Sequence, residues 1–299
     1  PRFAFPLRSH RRLINLPNSP SRVNPLREKF FRDGQKSRRR LGFGVVEDFA
    51  GDAMTLSIAQ ITDLHLLVDP QAALRGCVTT PRAAAVFANL KQRSPDLLLL
   101  SGDLSEDGSP ASYERLRDWV EELGCPAIAI AGNHDQPERL TEICGRSPFM
   151  GEPVYSIQGW RIIALDSYQP KRIDGRLRGD QLDWLDQRLG EDSSPTLLML
   201  HHPPVLIGVT KMDAIGLKDG PEFLEVIAHH QQVRLVLSGH AHQAFIQGRG
   251  LTTFLGCPAT AMQFDQPELP AGWRSLELEP DGSWRSQIHW VDTDSIHFA

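Results

Sequence analysis

From residue 54 onward the chain alternates short apolar runs with longer stretches in which apolar residues recur at helical spacing. The runs at 56–61, 97–100, 127–131, 162–165, 196–200 and 235–237 are apolar at successive positions, the pattern of strands covered on both faces. Helix entries between them carry cap chemistry. Thr80 before Pro81 and Ser109 before Pro110 each place an N-cap ahead of a proline at the first helical position. Leu182, Leu185 and Leu189 line one face of a further helix, and Gly190 follows as a stop signal. Strand, loop and helix in repetition predict an α/β fold. From Trp273 the pattern changes: Leu276 and Leu278 alternate up to Pro280-Asp281-Gly282, with Trp284, Ile288 and Trp290 beyond. That predicts a C-terminal β-hairpin at about 273–292.

At 299 residues and 40% hydrophobic content there is material for a sizeable core. The longest aliphatic stretch, around 97–100, is far short of the ~20 residues that cross a bilayer, so no membrane association is expected. The cysteines Cys77, Cys125, Cys144 and Cys257 contain no C-x-x-C pair, which favours a reducing, cytoplasmic setting over secretion. Charge is unevenly spread. Residues 1–53 carry 12 Lys and Arg against 5 Asp and Glu, or +7, while the remainder carries 20 against 32, or −12. The first segment has no helical or strand period and reads as a disordered basic extension. Met54 opens the first strand run, so this extension reads as lying upstream of a natural start; a targeting or nucleic-acid tail is the other reading. The acidic remainder argues against a nucleic-acid partner, and a small anionic ligand would need local positive charge.

Polar residues able to hold metal follow the strands directly. Asp63-Leu64-His65 comes after the first, Gly102-Asp103 after the second and Gly132-Asn133-His134-Asp135 after the third. His201-His202-Pro203 and Gly239-His240-Ala241-His242 follow the fifth and sixth. Loops at the carboxyl ends of strands in an α/β sheet converge on one crevice, so five motifs can meet there. Residues two apart on one strand exit point the same way, so Asp63 with His65, and His240 with His242, are each expected to grip a common centre. The donors are carboxylate, amide and imidazole with no thiolate, which favours Mn, Fe, Zn or Co in a catalytic site. Singly, each motif arises by chance in many chains; five behind five strands do not.

The order D-x-H, G-D, G-N-H-[DE], H-x-P, G-H-x-H resembles the calcineurin-like metallophosphoesterase superfamily, over about residues 54–263. Neighbouring text narrows this: Ile58 to Leu66, Leu74-Arg75-Gly76, Ser101 to Gly108 and Ala214-Ile215-Gly216-Leu217 are similar to the class III cyclic nucleotide phosphodiesterase branch. The resemblance, not the periodicity, implies a four-layer α/β/β/α sandwich with two mixed β-sheets flanked by helices, over residues 54–299. It also implies two metal ions, one held by Asp63, His65 and His242 and the other by Asn133, His201 and His240, with Asp103 bridging. His134, Asp103 and Asn133 are the catalytic residues implied, His134 as general acid. His202 has either a supporting or a substrate-contacting role.

Two divalent ions with Asp63, Asp103 and a bridging hydroxide sum to roughly +1, which suits a singly charged phosphodiester. The resemblance implies hydrolysis by that hydroxide of a cyclic nucleotide, 3′,5′-cyclic AMP first, to the 5′-monophosphate. The same centre would serve 2′,3′-cyclic nucleotides, glycerophosphodiesters or nucleotide pyrophosphates, with Arg75, His202 and residues 260–264 as candidates for the wall that discriminates. A scaffold that has lost catalysis is the remote alternative, against which stands the presence of every ligand.

Overall fold

The structure is a computed structural model that describes residues 55–292; the basic segment 1–53 and Met54 lie outside the described residues. The run of leucines at 97–100 explains the architecture. In strand β4 (Leu97–Ser101) all five residues are buried, yet Leu97 and Leu99 belong to one apolar cluster while Leu98 and Leu100 belong to another. Successive side chains leave a strand on opposite faces, so an uninterrupted apolar run means a sheet with a core on each side.

The first sheet has five strands in the order β13-β12-β1-β4-β5, where β1 is Leu56–Ile61, β5 Ala127–Ile130, β12 Ala271–Leu278 and β13 Trp284–Val291. Strands β1, β4 and β5 run parallel, whereas β12 pairs antiparallel with β1 and with β13. The second sheet has six strands in the order β10-β11-β9-β8-β7-β6, with β6 Val154–Ile157, β7 Trp160–Ala164, β8 Thr196–Met199, β9 Val233–Ser238, β10 Phe245–Arg249 and β11 Thr252–Gly256. Its four central strands are parallel and its two edges antiparallel.

Between the sheets Leu56, Ile58, Leu97, Leu99 and Ile128 meet Trp160, Ile162, Leu197, Leu235 and Leu255. On the outer face of the first sheet lie helices α1 (Thr79–Arg93), α2 (Pro110–Leu123) and α3 (Pro137–Cys144), which bring Val86, Leu90, Tyr113, Leu116 and Leu140. Helix α4 (Gly179–Gly190) covers the second sheet with Leu182, Leu185 and Leu189, joined by Phe223 and Ile227 of α6 (Gly220–Ala228). A single turn, α5 (Thr210–Asp213), precedes α6. The four layers and two mixed sheets are those implied by the resemblance.

The six expected strands and the C-terminal hairpin are all present within a few residues of their expected bounds. Strands β6, β10 and β11 were not expected; the edge strands β6 and β10 are largely part-buried or exposed and lack a continuous apolar run, and β11 opens on two threonines. A further small hairpin, β2 (Ala73–Leu74) with β3 (Cys77–Val78), also escaped the pattern. The Ser109 cap is as expected, its side chain accepting from the Ser112 amide. The Thr80 cap is not: α1 starts from Val78 without a side-chain cap, and the Thr79 hydroxyl instead donates to the His65 carbonyl at 2.8 Å. That bond anchors the helix to the loop after β1.

Candidate metal centre

The polar motifs leave their strands through a backbone that is left-handed, not extended. Asp63, His65, Asp103, His240 and His242 have φ of 52°, 47°, 49°, 65° and 50°. Such geometry costs a non-glycine residue about 1–3 kcal/mol and tends to mark functional sites. Neighbouring exits hold it in place: the Asp63 amide donates to the Gly102 carbonyl, that of His65 to Asp103, and that of Gly239 to His201. Gly102 and Gly132 are required for the approach, since a Cβ on the first would run into the His201 ring and on the second into the Asp103 carboxylate.

Six of the seven expected ligands, Asp63, His65, Asp103, His201, His240 and His242, fall into overlapping groups whose donor atoms lie within 4.8 Å of one another, and the seventh, Asn133, has its Oδ1 buried without a partner among the described residues. Asp63 Oδ1 lies 3.2 Å from His242 Nε2 and 4.0 Å from His65 Nε2, and the two Nε2 atoms are 3.1 Å apart. On the other side His201 and His240 rings are 5.1 Å apart edge to face. Asp103 stands between, its Oδ2 at 3.3 Å from His201 Nε2 and 3.8 Å from His65 Nε2. The expectation that His240 and His242 share a centre is corrected. The Met262 carbonyl holds the His242 ring on one side while the His240 ring packs against those of His201 and His202, so His242 groups with Asp63 and His65 and His240 with His201 and His202, as the resemblance implied.

Hydrogen bonds on the far side of the rings decide what faces inward. His65 Nδ1 lies 2.7 Å from Glu106 Oε2, His201 Nδ1 2.8 Å from the Ser101 carbonyl and His242 Nδ1 2.6 Å from the Met262 carbonyl. Each acceptor calls for a proton on Nδ1, which leaves Nε2 with a lone pair turned into the cluster. The 3.1 Å approach of His65 and His242 then brings two lone pairs face to face, unfavourable until a cation lies between them. Among the described residues Asp63 Oδ1, Asn133 Oδ1, His201 Nε2 and His240 Nε2 are buried with no hydrogen-bond partner. Buried polar atoms are ordinarily satisfied, so these fit a metal.

Electrostatics favour the same outcome. Burial opposes charge on Asp63, but His242 and His201 bring its carboxyl down to about 2. Asp103, likewise opposed by burial, is held well below its ordinary value by His201 and His65. Burial above all, with the neighbouring His201 adding to it, depresses His240 to about 3, which keeps it a neutral ligand.

The family model for calcineurin-like phosphoesterases matches residues 56–244, from β1 through the last metal-binding motif. The chain belongs to that family. A Synechococcus sp. protein (strain ATCC 27144) named "Probable cyclic nucleotide phosphodiesterase" is 99% identical over 255 residues, 85% of this chain and 100% of that protein. The 3′,5′-cyclic adenosine monophosphate phosphodiesterase of Pseudomonas aeruginosa is 35% identical, over 81% of this chain and 92% of its own. In fold, the chain is similar to a dimetal phosphatase from Danio rerio, with a TM-score of 0.57 at 13% identity, covering 79% of this chain and 99% of that one. As a metallophosphoesterase the chain requires divalent ions, for which the clustered His and Asp side chains are suited.

Two residues of this phosphoesterase, Glu106 and Asp135, were given no role in the reading of its sequence, and a third, His202, was left with two. Glu106 Oε2 contacts His65 Nδ1 at 2.7 Å and His134 Nδ1 at 3.0 Å, tying a ligand to the residue beside the cluster. Burial opposes its charge, yet the two histidines hold it at about 2. Its one available signal is position: it follows Asp103 by three residues on the same loop. Asp135 is buried and accepts from the amides of Leu104, Ser105 and Gly132, joining the loops after β4 and β5. Tyr113 of α2 also donates to it, at 3.0 Å. His202 is fully buried, with Nδ1 at 2.9 Å from Ser167 Oγ and Nε2 at 3.1 Å from the Ile173 carbonyl. It pins the loop after β7, in keeping with the supporting one of its two expected roles.

Glu106→Gln keeps the shape and removes the charge. Supports of metal-binding histidines typically contribute 10–100-fold, so a loss of roughly that size is expected in metal affinity or turnover. Metal titration alongside steady-state kinetics measures it, and unchanged values would reduce Glu106 to packing.

Proposed function

We propose that the chain hydrolyses a cyclic nucleotide, 3′,5′-cyclic AMP first, to the 5′-monophosphate. The reading rests on the family, on relatives named for that activity, and above all on the inward-facing Nε2 lone pairs beside two carboxylates. Asp63, His65 and His242 hold one ion; Asn133, His201 and His240 hold the other; Asp103 lies between. Oxygen and imidazole donors accept Mn, Fe, Zn or Co. Bound there, two such ions supply Lewis acidity at phosphorus and draw the pKa of water toward ~7.

The chain's own groups do the rest. The main-chain amide of His134 donates to Asp103 Oδ1 at 2.8 Å, so the position of the ring is set by the same carboxylate that joins the two ligand groups. The hydrogen bond that His134 donates to the Glu106 carboxylate raises the His134 pKa, partly offset by burial, and Asp103 adds to it. With Nδ1 occupied by Glu106, Nε2 is left to hold the proton that the departing 3′-oxygen needs. His134, Asp103 and Asn133 are thus the catalytic residues of this reading.

Residues 54–299 form its catalytic domain, with 1–53 a basic extension outside it, and its setting is the cytoplasm. Among the described residues no helix is long and apolar enough to cross a membrane. The test is a panel of 3′,5′- and 2′,3′-cyclic nucleotides, a glycerophosphodiester and a nucleotide pyrophosphate, each with several divalent ions. Highest kcat/KM on 3′,5′-cyclic AMP is expected; preference for any of the others would overturn the assignment.

A further inference from the structure

Beside the metal cluster lies a cavity of about 610 Å³, lined among others by Arg75, Val78, Arg82, Gln263 and Phe264. That is within the range of ligand-binding pockets. Its wall and the wall of the metal cluster are one segment. The Met262 carbonyl accepts from His242 Nδ1, and two residues later the Phe264 ring lies parallel to the His242 imidazole, centroids 3.7 Å apart and planes at 13°. Gln263 holds this segment still, donating to the Ala259 carbonyl at 2.7 Å and accepting from the Ala259 amide at 3.1 Å. Phe264 is thereby a fixed plate, 38% exposed, with one face on a ligand of the metal cluster.

The guanidinium of Arg75 lies over the ring of Phe264, 5.0 Å from the centroid. Since His242 fills one face at stacking distance, Arg75 covers the other. It stands at the tip of the β2–β3 hairpin on left-handed backbone, exposed, and among the described residues makes no hydrogen bond or ion pair. A planar cation resting on an aromatic face by a cation–π contact alone is weakly held and readily displaced. Arg82 adds a second guanidinium, with Nε buried and without a partner among the described residues. Two arginines and no carboxylate line the cavity, although residues 54–299 carry −12.

We propose that this cavity is the nucleoside subsite: the base stacks on the free face of Phe264, and Arg75, displaced from that face, donates hydrogen bonds to the base edge or the sugar-phosphate. The inference rests on the proposed function and deepens it, for an aromatic plate beside the centre rewards a phosphodiester that carries a planar base. A glycerol diester gains nothing there.

Calorimetric titration of the metal-loaded protein with 5′-AMP and with inorganic phosphate tests it, metal content being measured for each variant. Stacking of one base supports a loss of roughly 5- to 150-fold in AMP affinity for Phe264→Ala, with a much smaller change for phosphate. Arg75→Ala, remote from the metal ligands, should lower AMP affinity several-fold at unchanged metal content. Should Phe264→Ala shed metal, Phe264→Leu retains an apolar cover for His242 without an aromatic face, and the same AMP-selective loss is expected. Wild-type AMP affinity in both Arg75→Ala and the metal-replete Phe264 variant overturns the subsite, even where cyclic AMP is turned over. A protein that prefers a glycerophosphodiester yet shows the AMP-selective loss would retain the subsite and lose the functional reading.

Discussion

Asp103→Ala is expected to empty both ion positions together and to lower turnover of cyclic AMP by well over 100-fold. The size follows from its place. Residues that only support a metal-binding histidine contribute 10–100-fold, and Asp103 does more than support: its Oδ2 lies within 4 Å of His65 on one side and His201 on the other. It also supplies one of two buried carboxylates in the cluster, the other being Asp63. Without it the cluster keeps its imidazoles but loses half its negative charge, and Lewis-acidic cations are bound by imidazole alone far less well. A second effect travels through the backbone. Asp103 Oδ1 accepts the His134 amide at 2.8 Å, so the loop after β5 loses the contact that sets the proposed general acid. Elemental analysis of the purified variant, with kinetics under several divalent ions, measures both. Two ions retained and turnover within tenfold would remove the bridging role; loss of one ion alone would assign Asp103 to one side.

That the seven candidate ligands stood out along the chain has a physical cause. Each stands directly behind an apolar strand, so strand ends and metal donors are marked by the same abrupt change from apolar to polar. The run at 97–100 gave a strand with two covered faces, and Asp103 followed; the run at 196–200 gave His201 in the same way. What stayed hidden arises from tertiary approach. Glu106 looks like one more acid in a Ser-Glu-Asp-Gly loop until folding brings His65 and His134 to the same carboxylate oxygen. The Met262 and Ser101 carbonyls that orient His242 and His201 are backbone atoms, which no side-chain pattern can announce. The period of two did not separate His240 from His242, whereas the resemblance did; what parts the rings is tertiary, the Met262 carbonyl holding one and the rings of His201 and His202 packing against the other. Edge strands β6 and β10 were missed because half-exposed strands carry weak apolar signals.

The second large effect concerns His134, and its form is more telling than its size. General acid catalysis contributes typically ~10² to 10⁴ in rate. His134→Ala should therefore lower kcat on 3′,5′-cyclic AMP by about that factor, because the departing 3′-oxygen is a poor leaving group that needs a proton. An activated aryl phosphodiester releases a phenolate that is stable without one, so its rate should fall much less. The geometry supports this division of labour. Glu106 takes Nδ1 at 3.0 Å, and about a third of the His134 side chain is exposed, so the ring reaches the cleft without being enclosed in the cluster. Metal content should hold, since the contact of this residue with Asp103 is made by the main-chain amide, which alanine retains. The ratio of the two rate losses is the measurement. Equal losses on both substrates at full metal content would mean that His134 positions the phosphodiester and gives no proton, and the protonation step would then have to be assigned to another group.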